Sequence, residues 1–295
     1  MKLLRAATLT VKNVANSVAT YSEWLDYSVV EEGTVTAGLA ESWGTPASTG
    51  RAYAVMAPSS GADLYIRFVE GDPVPDFTPL RTYGWAAIEI CVTDVLAVNE
   101  RMLKSPFEII GPPKEIDGLP AIYPMQVKGP DGEIAYFTQI RDDLPAYDLP
   151  RASTLIDKLF ILVLACSDMR ASIKWFEDVV GLQFGRDMEI EYSMLANAFG
   201  TPIEQHYTIS TVIHERDVFL ELDQYPEMAT TRPQHEGALP PGVSIATLKT
   251  PDFDAIKGDW ITPPVKRDGP IYNGMRAGTL RAPDGSLVEI VEIKK

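Results

Sequence analysis

The chain has 295 residues, 45% of them hydrophobic, which is ordinary core content for about two globular domains. Lys and Arg total 26 against 41 Asp and Glu, a net charge of -15 with no basic stripe, and this argues against a nucleic-acid partner. No apolar run reaches membrane-spanning length and no leader-like segment precedes the first strand. The two cysteines, Cys91 and Cys166, fall in apolar strands without metal-like spacing, so buried reduced thiols and a cytoplasmic setting are expected.

An alternating strand pattern opens at Arg5 to Val11 and passes into a helical segment, and the first unit closes on a strand from Leu64 to Val69. A second strand, Ala86 to Val92, enters its helix through Asp94. That unit closes with the turn Pro130-Asp131-Gly132 and a strand from Glu133 to Gln139. Arg141 to Ser153, with Asp142, Asp143, Pro145 and Pro150, has no apolar periodicity and reads as a linker. We place the domain boundary near Tyr147, giving domains 1–146 and 147–295.

The third unit runs from the strand Leu159 to Cys166 through Asp168 to a helix over Ser172 to Val180. Ile173, Phe176, Val179 and Val180 share one face of that helix, and the unit closes on Val218 to Asp223. The fourth has a strand at Val243 to Leu248, a stunted helix at Phe253 to Lys257, the turn Pro283-Asp284-Gly285 and a last strand, Leu287 to Glu292.

These units repeat at an offset of about 155 residues: TLTVKNVANSVATYSEWLDY falls on LVLACSDMRASIKWFEDVVG. Ser17 meets Ser172, Tyr21 meets Phe176, and Trp43-Gly44-Thr45-Pro46 meets Phe199-Gly200-Thr201-Pro202. The closing segments GPDGEIAYF and APDGSLVEI match as well. The expected fold is therefore α+β, with four βαβββ units paired into two similar domains with curled mixed sheets.

Four βαβββ units, strand-Asp-helix entries at Asp94 and Asp168, and closing PDG turns resemble the vicinal oxygen chelate superfamily over nearly the whole chain. That group holds glyoxalase I, methylmalonyl-CoA epimerase, bleomycin-resistance proteins and type I extradiol dioxygenases, and the four-unit layout is most similar to the last. The resemblance implies a divalent metal held by His in first strands and Glu in last strands. Here the His positions correspond to Ala6, Ala87, Ile161 and Ile245, and the Glu positions to Arg67, Tyr136, Glu221 and Glu289. Four aliphatic side chains offer no donor atom, so no cofactor is expected at the usual metal position.

Strand parity then sorts the cavity-facing residues: Leu287, Glu289 and Val291; Phe219, Glu221 and Asp223; Tyr65, Arg67 and Val69; Ile134, Tyr136 and Thr138. First strands add Thr8, Thr10, Glu89, Cys91, Val163, Ala165, Thr247 and Lys249. If each half encloses a cavity, the C-terminal one brings Glu221 and Glu289 face to face, with His206 and Lys249 as secondary candidates. Two carboxyls in one low-dielectric cavity cannot both ionise easily, which suits acid–base chemistry.

The N-terminal cavity would hold Arg67 beside Glu89, with Tyr136, as a buried ion pair or as an anchor for a substrate carboxylate. Trp43 and Phe199 are candidate lid residues, whereas His214 and His235 read as surface residues. The leading reading is an enzyme acting on a small aromatic metabolite by lyase or isomerase chemistry, with catalytic Glu289, Glu221 and His206. The alternatives are a non-catalytic binder of the bleomycin-resistance type, or a divergent dioxygenase whose divalent metal has moved to His206, Glu221 and Glu289. A small molecule is the expected partner, a homodimer is compatible with the layout, and neither nucleic acid nor membrane is expected.

Overall fold

The structure is a computed structural model and describes residues 2–293. Unit one contains β1 (Leu4–Val11), α1 (Val14–Leu25), β2 (Tyr27–Thr34), α2 (Ala37–Ser42), β3 (Ala52–Pro58) and β4 (Tyr65–Glu70). Unit two contains β5 (Gly84–Val92), α3 (Val95–Met102), β6 (Glu108–Gly111), β7 (Ile122–Lys128) and β8 (Ile134–Ile140). Unit three contains β9 (Ile156–Cys166), α4 (Met169–Trp175) continued by a π turn at Phe176–Val180, β10 (Gln183–Glu191), α5 (Ser193–Phe199), β11 (His206–His214) and β12 (Asp217–Gln224). Unit four contains β13 (Gly242–Thr250), a single 3-10 turn at Phe253–Ala255, β14 (Val265–Lys266), β15 (Arg276–Arg281) and β16 (Leu287–Glu292). The stunted fourth helix is thus one turn, and among the described residues no helix is long and apolar enough to cross a membrane.

Every unit has the same internal strand order: first, last, third, second. The first strand runs parallel to the last, as β1 does to β4 and β9 to β12. How the units combine departs from the expected pairing. The first sheet reads β14-β15-β16-β13-β1-β4-β3-β2 and the second β10-β11-β12-β9-β5-β8-β7-β6. Units one and four therefore share a sheet through antiparallel β1 and β13, and units two and three share the other through β5 and β9. A cut at residue 146 divides both sheets, so 1–146 and 147–295 do not each enclose a cavity.

What binds consecutive units is the other device visible in the sequence. In the first three units the polar residue entering the helix after the first strand is its N-cap: Asn13 accepts from Asn16, Asp94 from Leu96 and Ala97, and Asp168 from Ala171. The PDG aspartates dock on these entries from the next unit. Asp131 accepts from the Lys12 backbone and the Ser17 hydroxyl, both at 2.9 Å. Asp284 accepts from Ser167 through its backbone (2.9 Å) and its hydroxyl (2.6 Å). Unit two is so clasped to unit one, and unit four to unit three.

Parity decides which side chains face where. Leu9, Ile90, Leu164 and Leu248 pack with the buried faces of α1, α3 and α4 in one core that the backs of both sheets share. The alternate residues line the concave faces: Ala87, Tyr136, Ile161 and Val163 in the second sheet, Ala6, Val69, Ile245 and Leu287 in the first. Phe219 is the exception, because a register shift between β11 and β12 skips it, and it joins the shared core while Val218 turns to the concave face.

Candidate functional site

The concave face of the first sheet carries a satisfied polar network at its floor. Glu289 on β16 is 1% exposed, and four donors converge on it: Trp43 Nε1 (2.9 Å), Thr247 Oγ1 (2.9 Å), Tyr272 OH (2.9 Å) and Arg67 Nη2 (3.1 Å). Arg67 also donates to Thr8 Oγ1 at 2.9 Å and Tyr272 OH at 2.6 Å, and its guanidinium lies over the Trp43 ring at 4.6 Å. Burial alone would raise Glu289, but the Arg67 charge, seconded by the three neutral donors, holds it below the ordinary carboxylate range. Burial likewise works against the Arg67 charge, which Tyr272 and Glu289 more than restore. A cavity of about 230 Å3 lies above this network, bordered by Glu31, Tyr53, Lys266 and Arg267.

The concave face of the second sheet is open. A cavity of about 210 Å3 is lined by apolar side chains that include Leu119, Ile122, Phe160, Ile161, Met188 and Ile209. Glu89 on β5, Glu221 on β12 and Tyr136 on β8 also line it. Strand β9 separates β5 from β12, with Glu89 opposite Ile161 and Glu221 opposite Val163, so their backbones lie about 12 Å apart, with both side chains lining the cavity. Burial pushes Glu89 up to about 8, helped by the Glu221 charge and opposed only by the hydrogen bond from Thr138. Burial, together with the neighbouring Asp223, raises Glu221 well above its ordinary range.

Asp223 is raised as well, again first by burial, and both its carboxylate oxygens are buried without a donor among the described residues. A proton shared with Glu221 would supply one, as expected when two carboxyls meet in low dielectric. Above them Tyr192 donates to Tyr136 at 2.6 Å.

Two stretches without regular structure close the mouth. Pro112, Lys114, Glu115, Ile116 and Leu119 come from the β6–β7 loop, and Leu144, Tyr147 and Leu149 come from the segment read from sequence as a linker. Lys114 reaches Glu191 at 3.3 Å and Arg141 pairs with Glu115, fastening the loop to both sides. The residue placed at a domain boundary, Tyr147, is a wall of the cavity.

These positions revise the expected grouping. Glu221 and Glu289 lie on different sheets and do not face each other, and Arg67 pairs with Glu289 rather than with Glu89. Glu221 shares its cavity with Glu89, Tyr136 and, at the rim, His206. Lys249 lines neither cavity; it sits half-buried near Arg5, Asp63 and Asp217, and burial lowers it. Trp43 and Phe199 are not lids. Each follows or ends a short helix, α2 or α5, whose left-handed glycine, Gly44 or Gly200, explains the repeated Gly-Thr-Pro. Trp43 is fully buried on Glu289, and Phe199 packs on Tyr225 under the Arg81 guanidinium. Tyr192, Arg186 and Tyr147 line the cavity unannounced by parity, since they lie on an edge strand and in connecting segments.

No protein-family model matches the chain, and no curated protein matches it in sequence. Solved structures do match over its length. Glyoxalase I from Zea mays superposes with a TM-score of 0.64 at 16% identity, covering 99% of this chain and 92% of that one. A dioxygenase candidate from Bacillus subtilis superposes with a TM-score of 0.62 at 14% identity, covering 99% and 86%. The fold is that of the vicinal oxygen chelate proteins. Tested against the metal that the vicinal oxygen chelate fold implies, the residues present do not fit. The first-strand positions are aliphatic, Arg67 places a guanidinium against Glu289, and no group of three His, Cys, Asp or Glu able to hold a metal exists among the described residues. His206, Glu221 and Glu289 in particular do not come together as a relocated metal site.

Proposed function

We propose that the protein is an enzyme of the acid–base kind, working in the second-sheet cavity on a small, largely apolar metabolite with an aromatic body. Glu89 and Glu221 move the proton, and no metal serves at the family position. The observation that carries this reading is that Glu89 and Glu221 lie on the floor of an apolar cavity with Asp223 buried behind Glu221, where the three cannot all ionise.

A carboxyl that keeps its proton to about pH 8, as Glu89 does, can deliver it at neutral pH to a carbonyl or departing oxygen. Its neighbour, once ionised, is the base. Such a pair suits isomerisation or carbon–carbon lyase chemistry at a carbon beside a carbonyl. The free buried thiols Cys91 and Cys166 fit a reducing, cytoplasmic setting.

The test is solvent exchange. Aryl ketones with acidic α-hydrogens, incubated with the protein in D2O and followed by proton NMR, should take up deuterium. Glu221→Gln and Glu89→Gln should each slow the uptake roughly a hundredfold. Wild-type rates in both variants would overturn the assignment. The predominance of apolar side chains in the lining favours a second reading, sequestration without turnover, which binding with no exchange by the wild-type protein would select.

A further inference from the structure

Arg186 lies on β10 where the ladder with β11 breaks register between Phe184 and Asp187. Such a bulge turns a side chain away from the direction that plain alternation would give it. The bulge needs its glycine: a Cβ on Gly185 would stand 2.3 Å from Thr211 Oγ1, and the Arg186 amide bonds that same oxygen. The redirected guanidinium lines the second-sheet cavity beside Tyr147, whose ring centroid lies 5.7 Å from Arg186 Cζ. Its Nε is buried with no hydrogen-bond partner.

Four acids line the mouth, Glu115, Asp117, Glu189 and Glu191, and three of them are already engaged. Glu189 accepts from Thr208, Glu191 pairs with Lys114 and Glu115 pairs with Arg141. Among the described residues, Arg186 forms no ion pair, although the chain carries an excess of acids. Burying a guanidinium donor without an acceptor costs free energy unless something else supplies the acceptor.

We infer that Arg186 is the anchor for an anionic group of the ligand, so that the cavity takes an aryl or aryl-alkyl carboxylate. The carboxylate sits at the bulge and the apolar body lies over Ile161 and Met188. This rests on the reading of the second-sheet cavity as the working site. Carboxylates suit the guanidinium because two parallel N–H donors meet two oxygens.

The probes are 4-phenylbutanoate and its uncharged isostere 4-phenylbutanamide, titrated calorimetrically into the intact chain near neutral pH. The wild-type protein should bind the acid roughly tenfold or more tightly than the amide. Arg186→Met should abolish that preference while leaving amide binding within about twofold, and Arg186→Lys should keep part of it. Equal binding of acid and amide by the wild-type protein, or a preference that survives in Arg186→Met, overturns the anchor alone. Binding of neither probe at millimolar concentration removes the anchor and the proposed working cavity together.

Discussion

The two sheets share one strand order and one antiparallel join, yet their concave faces have been put to opposite use. In the first sheet the acid at the closing-strand position, Glu289, meets a guanidinium and three neutral donors and stays ionised. In the second, Glu221 meets other acids, Glu89 and Asp223, and is raised well above the ordinary carboxylate range by burial and by Asp223. A carboxylate whose donors are all supplied is a strut even beneath a cavity, whereas acids set against one another at the floor of an apolar cavity are a reagent. The same fold position is therefore structural or chemical according to whether a cation or another acid stands across the sheet from it.

The comparison breaks most visibly at Arg67. Arg67→Ala would leave Glu289 buried and ionised without its counter-charge, and a loss of about 3–5 kcal/mol in urea unfolding is expected. Replacing both partners by apolar residues, Arg67→Met with Glu289→Leu, should recover most of it. A cost below about 1 kcal/mol for the single change would show that the network is not a strut.

Dependence on pH sharpens the contrast further, because the two acids carry opposite signs. Glu89 titrates near 8 when folded against an ordinary 4.5, so between those values the folded state binds more protons than the unfolded chain, and stability falls as pH rises. Glu289 lies below its ordinary value, so its contribution is present at neutral pH and is lost as pH falls through the acid range. Unfolding at about pH 3, 5, 7 and 9 should show Glu89→Gln flattening the fall in stability between about pH 5 and 9, and Glu289→Gln flattening the fall below about pH 5. Matching slopes for the two variants would remove the distinction. The smallest effect belongs to Lys114→Ala, whose half-exposed pair with Glu191 should cost well under 1 kcal/mol of stability while speeding ligand dissociation a few-fold in stopped-flow measurements.

The units themselves were legible in the sequence because each is punctuated by local chemistry: an Asn or Asp that caps a helix, a Pro-Asp-Gly turn that docks on such an entry, and a period-two closing strand. The partnership between units was not legible. First strands β1, β5, β9 and β13 are all buried on both faces, so nothing in their pattern says that β1 meets β13 rather than β5. That one ambiguity sent Glu289 to the wrong cavity and Arg67 to the wrong partner.

Parity found Glu89, Glu221, Asp223 and Tyr136 correctly as inward-facing side chains, because alternation is a property of each strand alone. It failed at Phe219 and gave no notice of Arg186, where bulges interrupt alternation. Tyr147 escaped because a segment with no apolar period can still wall a cavity.

The crossed arrangement of the units also bears on the order in which the molecule can assemble. Closing the second sheet joins β5 to β9 across an intervening chain of about 60 residues, whereas closing the first joins β1 to β13 across more than two hundred. The loop-closure argument favours early formation of the second sheet, at a stage of synthesis when β13 to β16 have not left the ribosome. Until they do, β1 exposes an unpaired edge, and the acidic surface of the chain is then its main protection against association with other nascent chains.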